Sequence, residues 1–120
     1  MSDVSKVKQI ELFSNIDEKI LGSLAPVLNE EYFKDGQVIF SEDDFGDEIY
    51  FIFSGEVEII KLVNKEANVS QLLSTLGKGE FFGEMALFDK KQRSAAVKAK
   101  GDVILLKLSC KDFYYFLKND

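Results

Sequence analysis

GQVIFSEDDFGDEIYFIFSGEVEIIKLV, residues 36–63, alternates short apolar runs with glycines. Val38-Ile39-Phe40, Ile49 to Phe53 and Val57 to Val63 are rich in β-branched and aromatic residues, the side chains that fit a pleated surface. In the third run Val57 and Ile59 alternate with Glu56 and Glu58, the pattern of a strand with one buried face. Gly36, Gly46 and Gly55 punctuate the runs, and each is expected to be a turn. Beyond them Asn64 to Asn68 predicts a hairpin loop that returns as a strand over Val69 to Leu76, and Val103 to Leu108 predicts another strand. Helical signals occur only towards the two ends. Ser14-Asn15-Ile16-Asp17 has the form of a capping box, after which Ile16, Ile20, Leu24 and Leu28 share one face with Leu21 and Val27 beside it. Pro26 removes one helical hydrogen bond and predicts a kink or an early end. Ser109-Cys110-Lys111-Asp112 is a second capping-box start, and a helix over Cys110 to Lys118 turns Phe113, Phe116 and Leu117 to the core. Short strands between terminal helices define a mainly β chain folded as an antiparallel, jelly-roll-like β-roll: helices over 1–30, the roll over 31–108, and a helix over 109–120.

Composition removes several classes of chemistry. The chain has 120 residues, enough for one domain with its own core, and contains no histidine and one cysteine, Cys110. Imidazole-based metal sites, Ser-His or Cys-His catalysis and an internal disulfide are therefore unavailable. The metal-dependent barrel enzymes of cupin type, which share this strand content, lose their usual ligand set in the same way. The expectation is a protein that is not an enzyme, needs no cofactor or metal, and works in the reducing cytoplasm, where a lone thiol is at home. No apolar run is long enough to span a membrane. The net charge of −6 is unevenly placed, with −10 in residues 1–60 and +4 in residues 61–120. The acidic total argues against direct nucleic-acid binding. The cluster Glu42, Asp43, Asp44, Asp47 and Glu48 lacks the spacing of a calcium loop and reads as a solvated acidic turn.

The chemistry-bearing stretch is FFGEMALFDKKQRSAAV, residues 81–97. Gly83 lets a ligand approach the backbone, and the short helical turn expected over Met85-Ala86-Leu87 offers unpaired N–H groups to an anion. Glu84 is an acceptor suited to a sugar hydroxyl. After the charged loop Asp89 to Gln92, Arg93 opens an expected strand, Arg93 to Val97. Of 15 basic residues Arg93 is the only arginine, and its planar fork of donors suits phosphate. An anion beside a hydroxyl-bearing sugar is one reading. A surface ion pair between Glu84 and Arg93, of little energetic weight, is the other.

The chain resembles the cyclic nucleotide-binding domain of the bacterial catabolite activator protein, of the regulatory subunits of cyclic-AMP-dependent protein kinase and of cyclic-nucleotide-gated channels. Leu12-Phe13-Ser14 is similar to the entry into its N-terminal helix. Gly36, Ile39, Phe40, Gly46, Asp47, Tyr50, Ile52 and Gly55 are similar to its framework. Phe82-Gly83-Glu84-Met85-Ala86-Leu87, followed by Arg93-Ser94-Ala95, is similar to its phosphate-binding cassette, placed here at 82–97.

The resemblance implies a regulatory sensor of cyclic AMP, ahead of cyclic GMP. Arg93 would bind the exocyclic phosphate oxygens and Glu84 the ribose 2′-OH. The N–H groups of Met85 and Ala86 would hold phosphate and sugar, Gly83 would allow the close approach, and Ser94 would bond phosphate or purine. Phe82 and Ala95 complete the ligand-binding set, with Ile59 and Ser74 lining the purine pocket. A degenerate member serving as a protein-interaction scaffold is the alternative, with an effector protein or a second copy as partner. Two positions depart from the pattern: Gln92 stands where a proline often precedes the arginine, and Asp43 where a glycine is usual, a turn that aspartate tolerates. The family's base-covering helix follows the one that starts at Ser109 here, so one purine edge is expected to stay open to water.

Overall fold

The computed structural model describes residues 6, 8, 10, 13, 14, 17–64, 66–84 and 92–118. Helix α1 (Glu18–Leu24) is capped by Asp17, whose carboxylate accepts the Lys19 N–H at 2.8 Å. The cap expected at Ser14 is thus replaced by the carboxylate at the far end of the same tetrapeptide, and Ile16 lies outside the described residues. Pro26 ends the α-helix as expected: Ala25–Val27 is a single 3-10 turn. The backbone is already extended at Asn29, two residues before the expected start of the roll.

Six strands follow, β1 (Asn29–Phe33), β2 (Val38–Phe40), β3 (Glu48–Asn64), β4 (Val69–Leu76), β5 (Phe81–Phe82) and β6 (Ala96–Ser109), and then helix α2 (Cys110–Lys118). All pairings are antiparallel, in the order β1-β6-β3-β4, with β2 on β6 and β5 on β3. This is the mainly β roll expected from the strand pattern.

The two strands expected over Ile49–Phe53 and Val57–Val63 are one continuous strand, β3. Gly55 is a corner rather than a turn. Its φ is +90°, and a Cβ there would lie 2.4 Å from the Asp102 carbonyl oxygen. β6 bends at the same place through Gly101, φ +74°, and the register passes from Ser54↔Ile104 to Glu56↔Lys100. The two strands turn the corner as a pair and resume bonding to each other beyond it, so neither chain reverses direction. The expected strand Val103–Leu108 is the second half of β6. Its first half begins only at Ala96, leaving Arg93 to Ala95 outside the ladder.

Side chains alternate across β3 and divide the core. Ile49 and Phe51 pack under the helices with Phe13, Leu24, Leu106 and Phe116. Tyr50 and Ile52 face the interior of the roll with Phe82, Val97 and Leu105. The Ser109 hydroxyl accepts the Asp112 N–H at 3.1 Å, the hydroxyl half of the capping-box-like start expected there. Phe116 is buried and Phe113 partly so, Tyr114 and Tyr115 are exposed, and the Leu117 side chain lies outside the described set. Asp43 takes φ +73°, holding the turn at its glycine-like position. Among the described residues no helix is long and apolar enough to cross a membrane.

Candidate functional site: a buried arginine at an apolar cleft

β5 delivers the chain to the site. Phe82 stacks on Tyr50, with ring centroids 5.1 Å apart and an interplanar angle of 7°, and Phe81 packs on Phe51. The next residue, Gly83, has φ +85°, and a Cβ there would lie 2.9 Å from the Glu48 carbonyl oxygen and 3.1 Å from Arg93 Nη1. Only glycine fits this place in both conformation and space.

Arg93 reaches the same point from the other side. It is the one buried charged residue among those described, with 5% exposure. Nη1 donates to the Gly83 carbonyl at 3.2 Å and Nη2 to the Glu48 carbonyl at 3.1 Å. The guanidinium lies over the Phe40 ring, 4.3 Å from its centroid. Among the described residues its nearest carboxylate oxygen, on Glu48, is 3.8 Å away at the edge of ion-pair range. Nε is buried and donates to nothing among the described residues. Gly46 makes room for this, since a Cβ there would fall 2.3 Å from Nη2. Gly46 was expected as a turn; its φ is not in the left-handed region, and its service is space for the guanidinium. The surface ion pair weighed between Glu84 and Arg93 does not occur, because the guanidinium is turned inward on Glu48 and Gly83.

The backbone that carries Arg93 is held by the acidic turn. Arg93 N–H donates to the Asp44 carbonyl at 2.7 Å, Asp43 N–H donates to the Arg93 carbonyl at 2.8 Å, and Phe45 pairs with Gln92. The acidic side chains of this turn serve the backbone: Asp44 accepts the Ser41 N–H and Glu42 the Leu62 N–H, both at 2.9 Å.

Between these elements lies a cleft of 240 Å³. Phe82, Gly83, Glu84, Arg93, Ser94 and Ala95 line it together with Ile59 and Ser74, which are paired across β3 and β4. Segments far apart in the sequence thus meet at one cavity. Met85 and Ala86 lie outside the described residues. Gln92, Leu76, Val97 and Phe40 also line it. Burial, then the neighbouring Glu48, raises the Tyr50 pKa, so the phenol behind Phe82 stays neutral and adds no charge to the site. A larger groove of 550 Å³ between α1 and α2 is walled by Ile20, Leu24, Val27 and Phe116 and has no comparable buried cation.

A buried cation and a close-approach glycine in the wall of an apolar cleft have the chemistry to suit a small anion bearing a flat apolar group. Residues 30–120 match the cyclic nucleotide-binding domain family, and the chain belongs to it. It is 33% identical over 107 residues to a cAMP-dependent protein kinase regulatory subunit of Mucor circinelloides f. lusitanicus, covering 89% of this chain and 24% of the relative. It is 29% identical over 98 residues to the cGMP-dependent protein kinase, isozyme 1, of Drosophila melanogaster, covering 82% of this chain and 13% of that one. The regulatory domain of Toxoplasma gondii PKA, crystallised with cAMP, superimposes with a TM-score of 0.83 at 26% identity, over 95% of this chain and 43% of that chain. The chain spans about a quarter or less of the length of these curated relatives.

Phe40, Gly46 and Glu48 escaped the sequence reading as site residues. Phe40 reads as a core strand residue and Gly46 as a turn, and Glu48 acts through its carbonyl, which no side-chain pattern reveals.

Proposed function

We propose that the chain is a single cyclic nucleotide-binding domain over residues 1–120 that binds a cyclic nucleoside monophosphate, cyclic AMP ahead of cyclic GMP, as a sensor module without catalytic activity of its own. The observation that carries this reading is the buried, under-compensated Arg93. A guanidinium taken out of water needs its charge and its donors matched. Among the described residues two carbonyl dipoles and a ring face meet it, the carboxylate in range is at 3.8 Å, and Nε, packed against Gly46, is left without an acceptor. A phosphate supplies both the charge and the acceptor, and a guanidinium presents paired donors to it.

In this reading Phe82, Gly83, Glu84, Met85, Ala86, Arg93, Ser94 and Ala95 hold phosphate and ribose. Ile59 and Ser74 line the purine end of the cleft. The relatives that bear on the ligand include a cAMP-dependent kinase regulatory subunit and a cGMP-dependent kinase, which supports the ligand class. The order of the two purines rests on the likeness of Arg93-Ser94-Ala95 to the bacterial activators. An effector protein or a second copy of the chain would receive the signal.

Titration of the chain with cyclic AMP, cyclic GMP and 5′-AMP tests this. Saturable binding of one or both cyclic nucleotides, with a matching rise in melting temperature by mass action, is the expected result. A melting temperature that none of the three moves would overturn it in favour of a scaffold. Ser94→Ala is expected to change the ratio of the two cyclic nucleotide affinities, and equal losses for both would restrict Ser94 to the phosphate.

A further inference from the structure

Arg93 to Ala95 lie outside the sheet, so something other than a strand ladder must set where the guanidinium points. One support is the acidic turn already described. The second comes from β3. Lys61 lies two residues beyond Ile59 on the same face of that strand, and its ammonium donates to the Ser94 carbonyl at 2.8 Å. The same ammonium stands 3.4 Å from Glu42 Oε2, while Glu42 Oε1 accepts the Leu62 N–H at 2.9 Å. Glu42 is largely buried, its side chain 13% exposed. The two side chains therefore tie together three segments distant in sequence: the turn that pairs with Arg93, the peptide that follows Ser94, and the outer half of β3.

We propose that Lys61 and Glu42 are positioning residues for the ligand site: they clamp the Arg93-Ser94 backbone between the acidic turn and β3 and so fix the aim of the guanidinium. This rests on the reading of the cleft as a cyclic nucleotide site. Lys61 does not line the cleft. It acts through the Ser94 carbonyl. The Arg93 amide is held by the Asp44 carbonyl and the Ser94 carbonyl by Lys61, so only the φ and ψ of these two residues lie between the two anchored points, which narrows the conformations open to the segment that carries the guanidinium. A lysine serves because its flexible stem can place a compact charge between a carboxylate and a carbonyl.

The test uses the 120-residue chain and the variants Lys61→Met, which keeps an apolar stem without the ammonium, and Lys61→Arg, which keeps a cation. Amide hydrogen exchange without nucleotide is the first readout. Lys61→Met is expected to speed exchange at the Arg93 and Asp43 amides while leaving Leu105 and Leu106 in β6 unchanged. Cyclic AMP titration is the second. Lys61→Met is expected to weaken binding about three- to tenfold, and Lys61→Arg to recover it to within about twofold. Unchanged exchange at Arg93 and Asp43 overturns the clamp. A loss of affinity with unchanged exchange would make Lys61 a direct ligand contact and also overturns it. A parent chain that binds no cyclic nucleotide overturns the reading of the cleft, whereas the exchange result still decides whether the clamp exists.

Discussion

At the residue scale the site turns on one charge that the fold carries at a cost. Arg93 is buried with its guanidinium matched, among the described residues, by carbonyl dipoles, the Phe40 face and a Glu48 carboxylate at 3.8 Å, and in the proposed function a bound phosphate completes the compensation. Arg93→Met keeps the apolar stem and removes the charge. It is expected to weaken cyclic AMP binding at least tenfold, about 1.4 kcal/mol or more, while leaving the unliganded melting temperature equal or higher. A variant that binds like the parent would show that the cleft holds its ligand elsewhere. Arg93→Lys should not restore the parent affinity, since an ammonium cannot reproduce two parallel donors. Glu84→Ala is expected to cost less than Arg93→Met but to abolish the preference for ribose over 2′-deoxyribose, read by titrating 2′-deoxy cyclic AMP beside the parent ligand. The charge itself was legible in the sequence, because a single arginine among 15 basic residues stands out beside a Gly-Glu turn. Its surroundings were not. Gly46 and the Glu48 carbonyl act by the room and the lone pair they leave, and neither property is written in a side chain.

At the scale of elements, the ends of the fold were readable and the corner was not. Cys110–Lys118 forms the helix expected there, and Val69–Leu76 is the expected strand, because capping chemistry and strand composition act locally. Gly55 was read as a turn because a glycine between two apolar runs signals positive φ in either case. Whether the chain then reverses or bends depends on its partner. β6 bends alongside at Gly101, which no local pattern near residue 55 encodes. Gly55→Ala is expected to destabilise the fold by about 2–4 kcal/mol in urea unfolding, because alanine at φ +90° is strained and its Cβ meets the Asp102 carbonyl. Gly101, with a similar φ but open space around it, should tolerate alanine better. A pH effect belongs to the same scale. On β1, hydrogen bonds from Lys6 and then from Tyr32 hold the Glu30 carboxyl below its ordinary pKa of 4.5. A depressed folded-state pKa contributes stability above that ordinary value and loses it as pH falls through the folded one. Glu30→Gln should therefore lower the urea midpoint at pH 6, and the difference from the parent should shrink as the pH falls below 4.5 and through the lower folded-state value.

For the whole molecule, the division of the core by β3 leads to the expectation that stability and binding respond to different substitutions. One cluster lies under the helices and includes Phe13, Phe51 and Phe116; the other lies inside the roll and includes Val97 and Phe82, which also line the cleft. They communicate through β5, where Phe81 touches Phe51 and its neighbour Phe82 stacks on Tyr50. Removing a large ring from the helix side, as in Phe116→Ala, is expected to cost about 3 kcal/mol, near the low end for buried phenylalanine because the side chain is at the edge of the cluster. Its effect on cyclic AMP affinity should stay within about threefold, transmitted only through the aromatic contacts at β5. Val97→Ala removes two methyl groups from the cleft wall. It should cost less stability, about 1–2 kcal/mol, yet weaken binding more, because it widens the space the purine must fill. Urea unfolding and nucleotide titration on the two variants read both quantities, and the variants should rank in opposite order in the two measurements. The same order in both would mean that β3 does not insulate the clusters, and that packing under the helices sets the shape of the cleft directly.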